Sequence, residues 1–528
     1  MKSASPLSAA TSDVLIVGAG PIGLTLANLL GLLGVSVRVI ERSPELLGVP
    51  RAVALDDEGL RVIQMTGLLD RITPHMLMGY DHWLLGRHGQ LLLQVDPDTR
   101  EYGFPRRNRF HQPILERELL MGLGRFEHVD VGFSTLFQDF EWSDGTCRAR
   151  VETGGEERIL SARYLVGADG GGSLVRRLCG IEMEGESHPE PWIVIDTESN
   201  EDTARYSRAT GDPRRPHVNV PGTQGRRRYE FMLLADEDPD QAVSDANVHK
   251  LLEPHCDLAK VRVVRSAVYT FHSRVAERFV QDGHVFLAGD AAHMMPPFQG
   301  QGMNSGIRDA ATLAWRLSAA VRGTGGAALL QTYDEERRPH ATEMIMMSQR
   351  VGRVLMVRNP ILAMLRDWLF VLLSKVAWSR GYFRNMGFKP KPRARRGFFL
   401  AESSPLAGSL FPQPDVLTED GKRVPLDDLL GHGFALLHFA DHTDVRMDRF
   451  DHPFWALIAA RRILVLPGGV GPPDGPIDCV IGDIADSLRK STDVRSGETV
   501  LLRPDRYVAA VIRPGTASAV GELLERLL

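Results

Sequence analysis

Three glycines, Gly18, Gly20 and Gly23, separate a short apolar run at 14–17 from a helical stretch that reaches Leu33. The chemistry of such a turn is the holding of a diphosphate. Its first glycine permits the tight turn, the second lets phosphate approach the main chain, and the third lets helix pack closely on strand. The helix's unpaired N–H groups and positive end then face the anion. Glu41, 23 residues beyond Gly18, follows the next apolar run at 35–40 and can accept hydrogen bonds from an adenosine ribose, with Arg42 beside it. These residues point to a dinucleotide without distinguishing FAD from NAD.

A second constellation makes that distinction. A buried-strand pattern at 284–288 runs into Gly289 and Asp290, then His293 and Pro297, before Gly300, Gly302, Met303 and Asn304 open a helix. Asp290, at a strand's carboxyl end, can accept from a sugar-alcohol hydroxyl such as the ribityl chain of FAD. Free N–H groups at 300–302 suit negative charge on the N1/O2 edge of a reduced flavin. Two helix N-termini would thus serve the two anionic regions of one extended cofactor. Between them, a strand enters a glycine turn carrying Asp169, Gly170, Ser173 and Arg176. Alone, that segment reads as a helix start capped by polar side chains.

The elements around these turns alternate. Acidic residues at 56–58 start a helix through Met65, Pro113 starts another, and strand patterns cover 90–95 and parts of 151–166. From 192 to 271 the pattern changes to strand-like runs at 192–195, 217–220, 229–234 and 261–271, an antiparallel sheet inserted between two parts of a nucleotide-binding domain. Helical patterns dominate 303–386, with a long helix from Tyr333. Residues 389–396 read as a basic, proline-containing linker, and beyond it lies a smaller α/β unit.

The expected organisation is therefore α/β. It has an FAD-binding domain over 1–190, with 80–100 contributing to the substrate domain, a substrate-binding β-sheet over 191–275, the second FAD-binding part with its helices over 276–395, and a tail over 400–528.

Composition sets limits on the partners. The 528 residues are 43% hydrophobic and 24% charged, an ordinary globular balance, and the net charge of −5 gives no general attraction to nucleic acid or anionic membrane. Cys147, Cys179, Cys256 and Cys479 form no CxxC pair, which excludes a disulfide scaffold or thiolate zinc site and suits a reducing cytoplasm. Apolar stretches at 14–33 and 355–378 are interrupted by glycine, proline or charge, so neither reads as a membrane span. Lys2 precedes a polar leader unlike a secretory signal.

The three turns, in this order, resemble the group A flavoprotein aromatic hydroxylases, the family of para-hydroxybenzoate and phenol hydroxylases. The resemblance covers about 12–345. It is stronger to the 3-(3-hydroxyphenyl)propionate/3-hydroxycinnamate hydroxylases, through the stretches 50–58, 105–108, 228–232 and 299–304. The resemblance implies a Rossmann-like FAD domain of the GR2 type and a thioredoxin-like C-terminal domain, here without CxxC and so suited to packing or dimer formation.

It also implies site roles. Arg51 and Gln112 approach the diphosphate–ribityl region and Asp290 the ribityl chain. Met303 and Asn304 lie at the pyrimidine edge, and Asp169 supports the FAD turn with a second role towards the nicotinamide cofactor. The implied activity is a monooxygenase using NADH or NADPH and O2 to hydroxylate a phenolic acid ortho to its hydroxyl, through a flavin C4a-hydroperoxide.

A phenolate attacks better than a phenol, so a proton acceptor is expected, with His293, Tyr229, Tyr269 and His217 as candidates. The planar fork of arginine suits the acid's carboxylate, and the clusters at 106–107, 214–215 and 226–228, Arg228 included, offer it. Phe298 is the expected pocket wall, with His217 and Arg228 also at the substrate. No metal site is expected, and a homodimer is compatible with the sequence. The same scaffold could serve a tailoring hydroxylase or epoxidase acting on a polycyclic product, or an FAD-binding sensor; no WxWxIP segment points to a halogenase.

Overall fold

The computed structural model describes residues 11–187, 190–442, 450–468 and 477–528; the polar leader at 1–10 lies outside them. Five strands run parallel in one sheet, in the spatial order Val285–Leu287, Glu156–Gly167, Ser12–Val17, Val37–Ile40, Val129–Gly132. Val14, Leu15 and Ile16 are wholly buried. Both faces of the sheet are covered, which is why these strands read as continuous apolar runs rather than alternating ones. A hairpin, Thr135–Ser143 with Thr146–Thr153, turns at Asp144–Gly145 and extends the sheet antiparallel beside Glu156–Gly167, to which it connects through the Gly154–Gly155 pair seen in the sequence.

Two helices cover the sheet where it matters for the site. Pro21–Leu32 follows the glycine turn, and Gly302–Val321 packs against it through Gly306, where an added Cβ would lie 2.6 Å from the Ile22 side chain. The long helix begins at Ala327, earlier than the sequence pattern, and runs to Leu355 with Pro339 inside it.

A second sheet of seven strands stands beside the first, in the order Arg262–Tyr269, Trp192–Glu198, Arg227–Met232, His217–Pro221, Tyr206–Thr210, Asp81–Leu85, Leu91–Val95. Neighbours are antiparallel except Tyr206–Thr210 with Asp81–Leu85. These two strands escaped the sequence reading because they lack apolar alternation: the first is built on Ser207 and Ala209, and the second opens with Asp81 and His82.

The C-terminal unit holds a third sheet, parallel at its centre (Cys479–Asp483, Arg461–Pro467, Ala435–Phe439) and antiparallel at its edges. It is tied to the rest by buried charge. Arg61 grips Asp427 at 2.7 and 2.8 Å. Lys389, the first residue of the basic, proline-containing segment, turns its side chain inward, 8% exposed, with its Nζ 2.7 Å from Glu58 and 3.0 Å from Asp56. Asp56, Asp57 and Glu58 form the one acidic cluster among the described residues close enough to share a cation, and the Lys389 ammonium and the Arg308 guanidinium both pair with it. Burial pushes the Asp57 carboxyl up to about 6 despite Lys389.

Candidate active site

A cavity of about 1220 Å³ is lined both by the turns at the carboxyl ends of the central parallel strands and by one face of the seven-stranded sheet. At Gly18 the chain adopts φ 111°, and a Cβ would lie 2.4 Å from the Ala168 carbonyl oxygen; at Gly23 it would lie 2.0 Å from the Gly18 carbonyl oxygen. Only glycine allows this strand, turn and helix to approach so closely. Gly20 differs. It has an ordinary extended φ, and nothing lies within 4 Å of where its Cβ would be, so its main chain borders open cavity. The helix that follows has no side-chain cap, leaving its first N–H groups for a ligand.

Around this cradle, Glu41 is held by the N–H groups of Ala19 (3.1 Å) and Ser43 (2.9 Å). Asp169 accepts from Leu174 N at 2.7 Å while its Oδ1 has no partner. Arg42, Arg51, Gln112, Asp290, Pro297, Gly302 and Met303 share the same wall. The Gln112 Oε1 accepts from the N–H groups of Arg51 (3.1 Å) and Ala52 (2.7 Å), fixing the loop that carries Arg51. An open glycine cradle at one uncapped helix start, a second uncapped start at Gly302 and carboxylates at strand ends are a donor set that fits an extended diphosphate dinucleotide.

Three cofactor candidates stand behind the wall. Gly23 and Gly289 are packing positions, a Cβ at Gly289 lying 2.9 Å from Ile22. Asn304 is wholly buried, accepting from Asp56 N (3.0 Å) and donating to the carbonyls of Ala54 (3.1 Å) and Gly300 (2.7 Å). It locks the 54–56 segment to the helix start.

Strand alternation sorts the substrate candidates. Val194, Val218, Val220, Arg228 and Glu230 line the cavity, so Tyr229 and His217 point to the other face of the sheet. The Tyr229 hydroxyl accepts from Asn200 at 2.8 Å, and burial pushes its pKa up to about 12. His217 bonds the Arg215 carbonyl at 3.1 Å and packs on His255. His293 is fully buried with Nε2 2.7 Å from Asp309, which also takes Arg337 at 2.8 Å and the Gly289 N–H at 3.0 Å. It orders the turn rather than facing the cavity. Of the four proton-acceptor candidates, Tyr269 alone lines the cavity, as does Phe298, which packs edge-on against Trp192 and Phe271.

The arginines divide similarly. Arg214 pairs with Asp212, Arg215 with Glu237 and Arg226 with Glu198. Arg228 reaches the cavity, but its donors are taken by Asp196 and by the carbonyls of Pro50 and Arg51. Arg107 and Arg109 are different. Both line the cavity, and among the described residues no carboxylate stands within ion-pair distance of either. Arg107 donates to the Tyr80 hydroxyl at 3.0 Å, and Arg109 to Ser207 at 2.5 Å, its guanidinium 3.9 Å over the Tyr80 ring. Burial lowers Arg109 to about 10, which leaves it charged at neutral pH. Beside them His82, held neutral by burial and by both arginines, lines the same wall with Nδ1 unpartnered. Arg109 and His82 were missed in the sequence because neither belongs to a motif.

Residues 11–348 match the family of FAD binding domains, and residues 408–527 match the HcaD C-terminal domain. The chain is 42% identical to a 3-(3-hydroxy-phenyl)propionate/3-hydroxycinnamic acid hydroxylase of Mycobacterium sp. (strain KMS), covering 94% of this chain and 88% of that one. It is 36% identical to the protein of the same description from Comamonas testosteroni, covering 98% and 97%. Among solved structures, the flavin-dependent monooxygenase PieE with FAD and substrate superposes with TM-score 0.82 at 22% identity, covering 98% and 99%. The ternary complex of aklavinone-11 hydroxylase with FAD and aklavinone does so with TM-score 0.79 at 25% identity, also covering 98% and 99%.

Proposed function

The chain belongs to the FAD-binding family of flavoprotein aromatic monooxygenases, and from that premise we propose that its substrate is a phenolic acid of the 3-(3-hydroxyphenyl)propionate kind, hydroxylated ortho to its phenol. The observation that carries the substrate class is the pair Arg107 and Arg109: two guanidinium groups at the cavity wall with no carboxylate of the described residues in ion-pair contact, the Glu230 carboxyl of the same wall acting on Arg109 only from beyond that distance. A buried charge without a partner is costly, and a substrate carboxylate supplies the partner with the two-oxygen geometry that arginine favours. The relatives named as hydroxylases of such acids support the same reading.

FAD, when bound, supplies the redox chemistry, taking a hydride from NAD(P)H and passing one atom of O2 to the ring. The chain's residues do the rest. Gly18, Gly20 and the helix start behind them receive the diphosphate, Glu41 and Arg42 the adenosine end, and Arg51, Gln112, Asp169 and Asp290 the middle of the cofactor. Pro297, Gly302 and Met303 border its ring, with Gly23, Gly289 and Asn304 as positioning residues behind. Tyr269 is the candidate at the cavity wall for taking the phenol proton, and the unpartnered Nδ1 of His82, whose protonated form is disfavoured by burial and by both arginines, can accept a hydrogen bond from the phenol. Phe298, Phe271 and the aliphatic residues of the sheet keep out water.

We further propose that the enzyme works in the cytoplasm as a homodimer. Four free cysteines support the compartment, and no described helix is long and apolar enough to cross a membrane.

The second reading, a polycyclic substrate, draws on the likeness to the aklavinone-11 hydroxylase complex. Product analysis separates the two. Purified enzyme offered phenolic acids, the matching neutral phenols and a tetracyclic phenol, with NADH and then NADPH, is expected to convert the acids to catechols. Turnover of the tetracycle alone would favour the second reading.

A further inference from the structure

The helix Pro360–Lys375 carries one side against the strand Leu91–Val95 and leaves the other bare. Its inward positions hold its only internal charges: Arg366 and Asp367 pair at 2.7 Å, and Arg366 also donates to the Gly211 carbonyl at 2.6 Å. Phe370, on the same side, lines the cavity. The outward positions are apolar throughout. Leu362, Leu365, Trp368, Leu369 and Leu372 are each more than half exposed, and Trp378 on the following helix Ala377–Arg384 is 77% exposed.

Spacing and area say what such a face is for. Leu362, Leu365, Leu369 and Leu372 recur at steps of three and four, the pattern of a helix that packs on another helix. At ~150–250 Å² for a large aromatic side chain, Trp368 and Trp378 alone, each about three-quarters exposed, bare roughly 300 Å². Ile361, Leu362, Met364, Leu365, Leu369 and Leu372, each more than half exposed, extend that surface well beyond it. A typical monomer's largest apolar patch is only ~300–600 Å². One side of a standard stable interface is ~800 Å².

A bilayer is the poorer match. An interfacial helix sets a basic polar face alongside its apolar one. Here the polar side of Pro360–Lys375 is turned into the protein, its flanking charges Arg358 and Lys375 stand at its ends, and Arg380 and Arg384 are exposed on the following helix, where an interface has its polar rim. The net charge of −5 also opposes an anionic leaflet.

We propose that this face is where a second copy of the chain docks, stripe against identical stripe about a two-fold axis. The placement rests on the homodimer reading above. Because Phe370 lies on the opposite side of the same helix, the contact braces one wall of the cavity from outside.

Sedimentation velocity on the flavin-loaded enzyme at micromolar concentration tests this. The wild type is expected at the mass of two chains. Leu365→Glu/Leu369→Glu is expected at the mass of one chain, with flavin content and circular dichroism unchanged. Trp368→Ala, a milder change, raises the dimer dissociation constant about 30-fold or more, as loss of a central aromatic anchor does. Ile159→Glu, on a half-exposed strand position of the central sheet, leaves the two-chain mass intact. A wild type at single-chain mass overturns the homodimer reading itself, and co-flotation of such monomers with phosphatidylglycerol vesicles would assign the face to membrane. Persistence of the dimer in both Leu365→Glu/Leu369→Glu and Trp368→Ala keeps that reading and overturns the placement.

Discussion

The Arg228 guanidinium donates to the main-chain carbonyl of Arg51 at 2.7 Å. A strand of the seven-stranded sheet thereby holds the loop that borders the glycine cradle, and the Asp196 carboxylate at 2.7 Å keeps the guanidinium aimed. Arg228 is thus a joint between the two walls of the cavity. Removing one partner of a buried ion pair costs about 3–5 kcal/mol. Arg228→Met should therefore lower the denaturant midpoint and speed flavin loss, while the KM for the aromatic acid changes little in enzyme resupplied with FAD. A raised KM with normal flavin retention would make Arg228 a substrate residue instead.

Arg107 and Arg109 should carry the opposite signature. A hydrogen bond to a charged group is worth about 1.5–3 kcal/mol, so Arg107→Gln or Arg109→Gln should raise KM for a phenolic acid roughly 10- to 100-fold. The methyl ester of that acid should show no comparable loss. Equal losses for acid and ester would remove the carboxylate from this corner of the cavity.

Gly20 offers a test of the cofactor cradle that spares the fold. Its backbone is compatible with any residue, and a Cβ there meets nothing within 4 Å. Gly20→Val should fold with wild-type circular dichroism and stability yet lose FAD, because the methyl groups occupy the space the diphosphate needs. Wild-type flavin content in this variant would place the cofactor elsewhere.

The acid side of the stability profile follows from His255, pushed down to about 4 by burial and by the neighbouring His217 and Arg208. The unfolded chain takes up a proton near 6.5, which the folded chain refuses until about 4. Stability is therefore full above 6.5 and is lost as pH falls from 6.5 towards 4. His255→Gln should flatten that fall, read from urea midpoints at pH 7.5 and 5. An unchanged difference between the two midpoints would show that His255 titrates normally in the native state.

What the sequence could tell about this molecule follows from how local each feature is. The turn at Gly18–Gly23, Glu41 and Asp290 is written in contiguous residues whose φ, packing and charge have few alternatives, and all of them border or back the cavity. Side-chain orientation within the second sheet is not local. Whether Tyr229 or Glu230 meets the cavity depends on a register set by pairing across to Asn219 and Val194, partners distant in the chain. A one-residue slip exchanges the two faces. His293 looked chemical in sequence because it follows Asp290; Asp309, 16 residues on, is what makes it a buried structural pair. Arg109 and Lys389 carry no motif, and their surroundings come from segments as remote as Ser207 and Glu58.

The account stands most directly on the coupling of reductant to product. The purified enzyme should hold one FAD per chain. With 3-(3-hydroxyphenyl)propionate, NADH oxidation should accelerate, and each NADH consumed should yield one ring-hydroxylated product carrying an atom from labelled O2. Flavin binding without substrate-stimulated NADH or NADPH oxidation, or oxidation that ends only in peroxide for every phenolic acid tried, would contradict it.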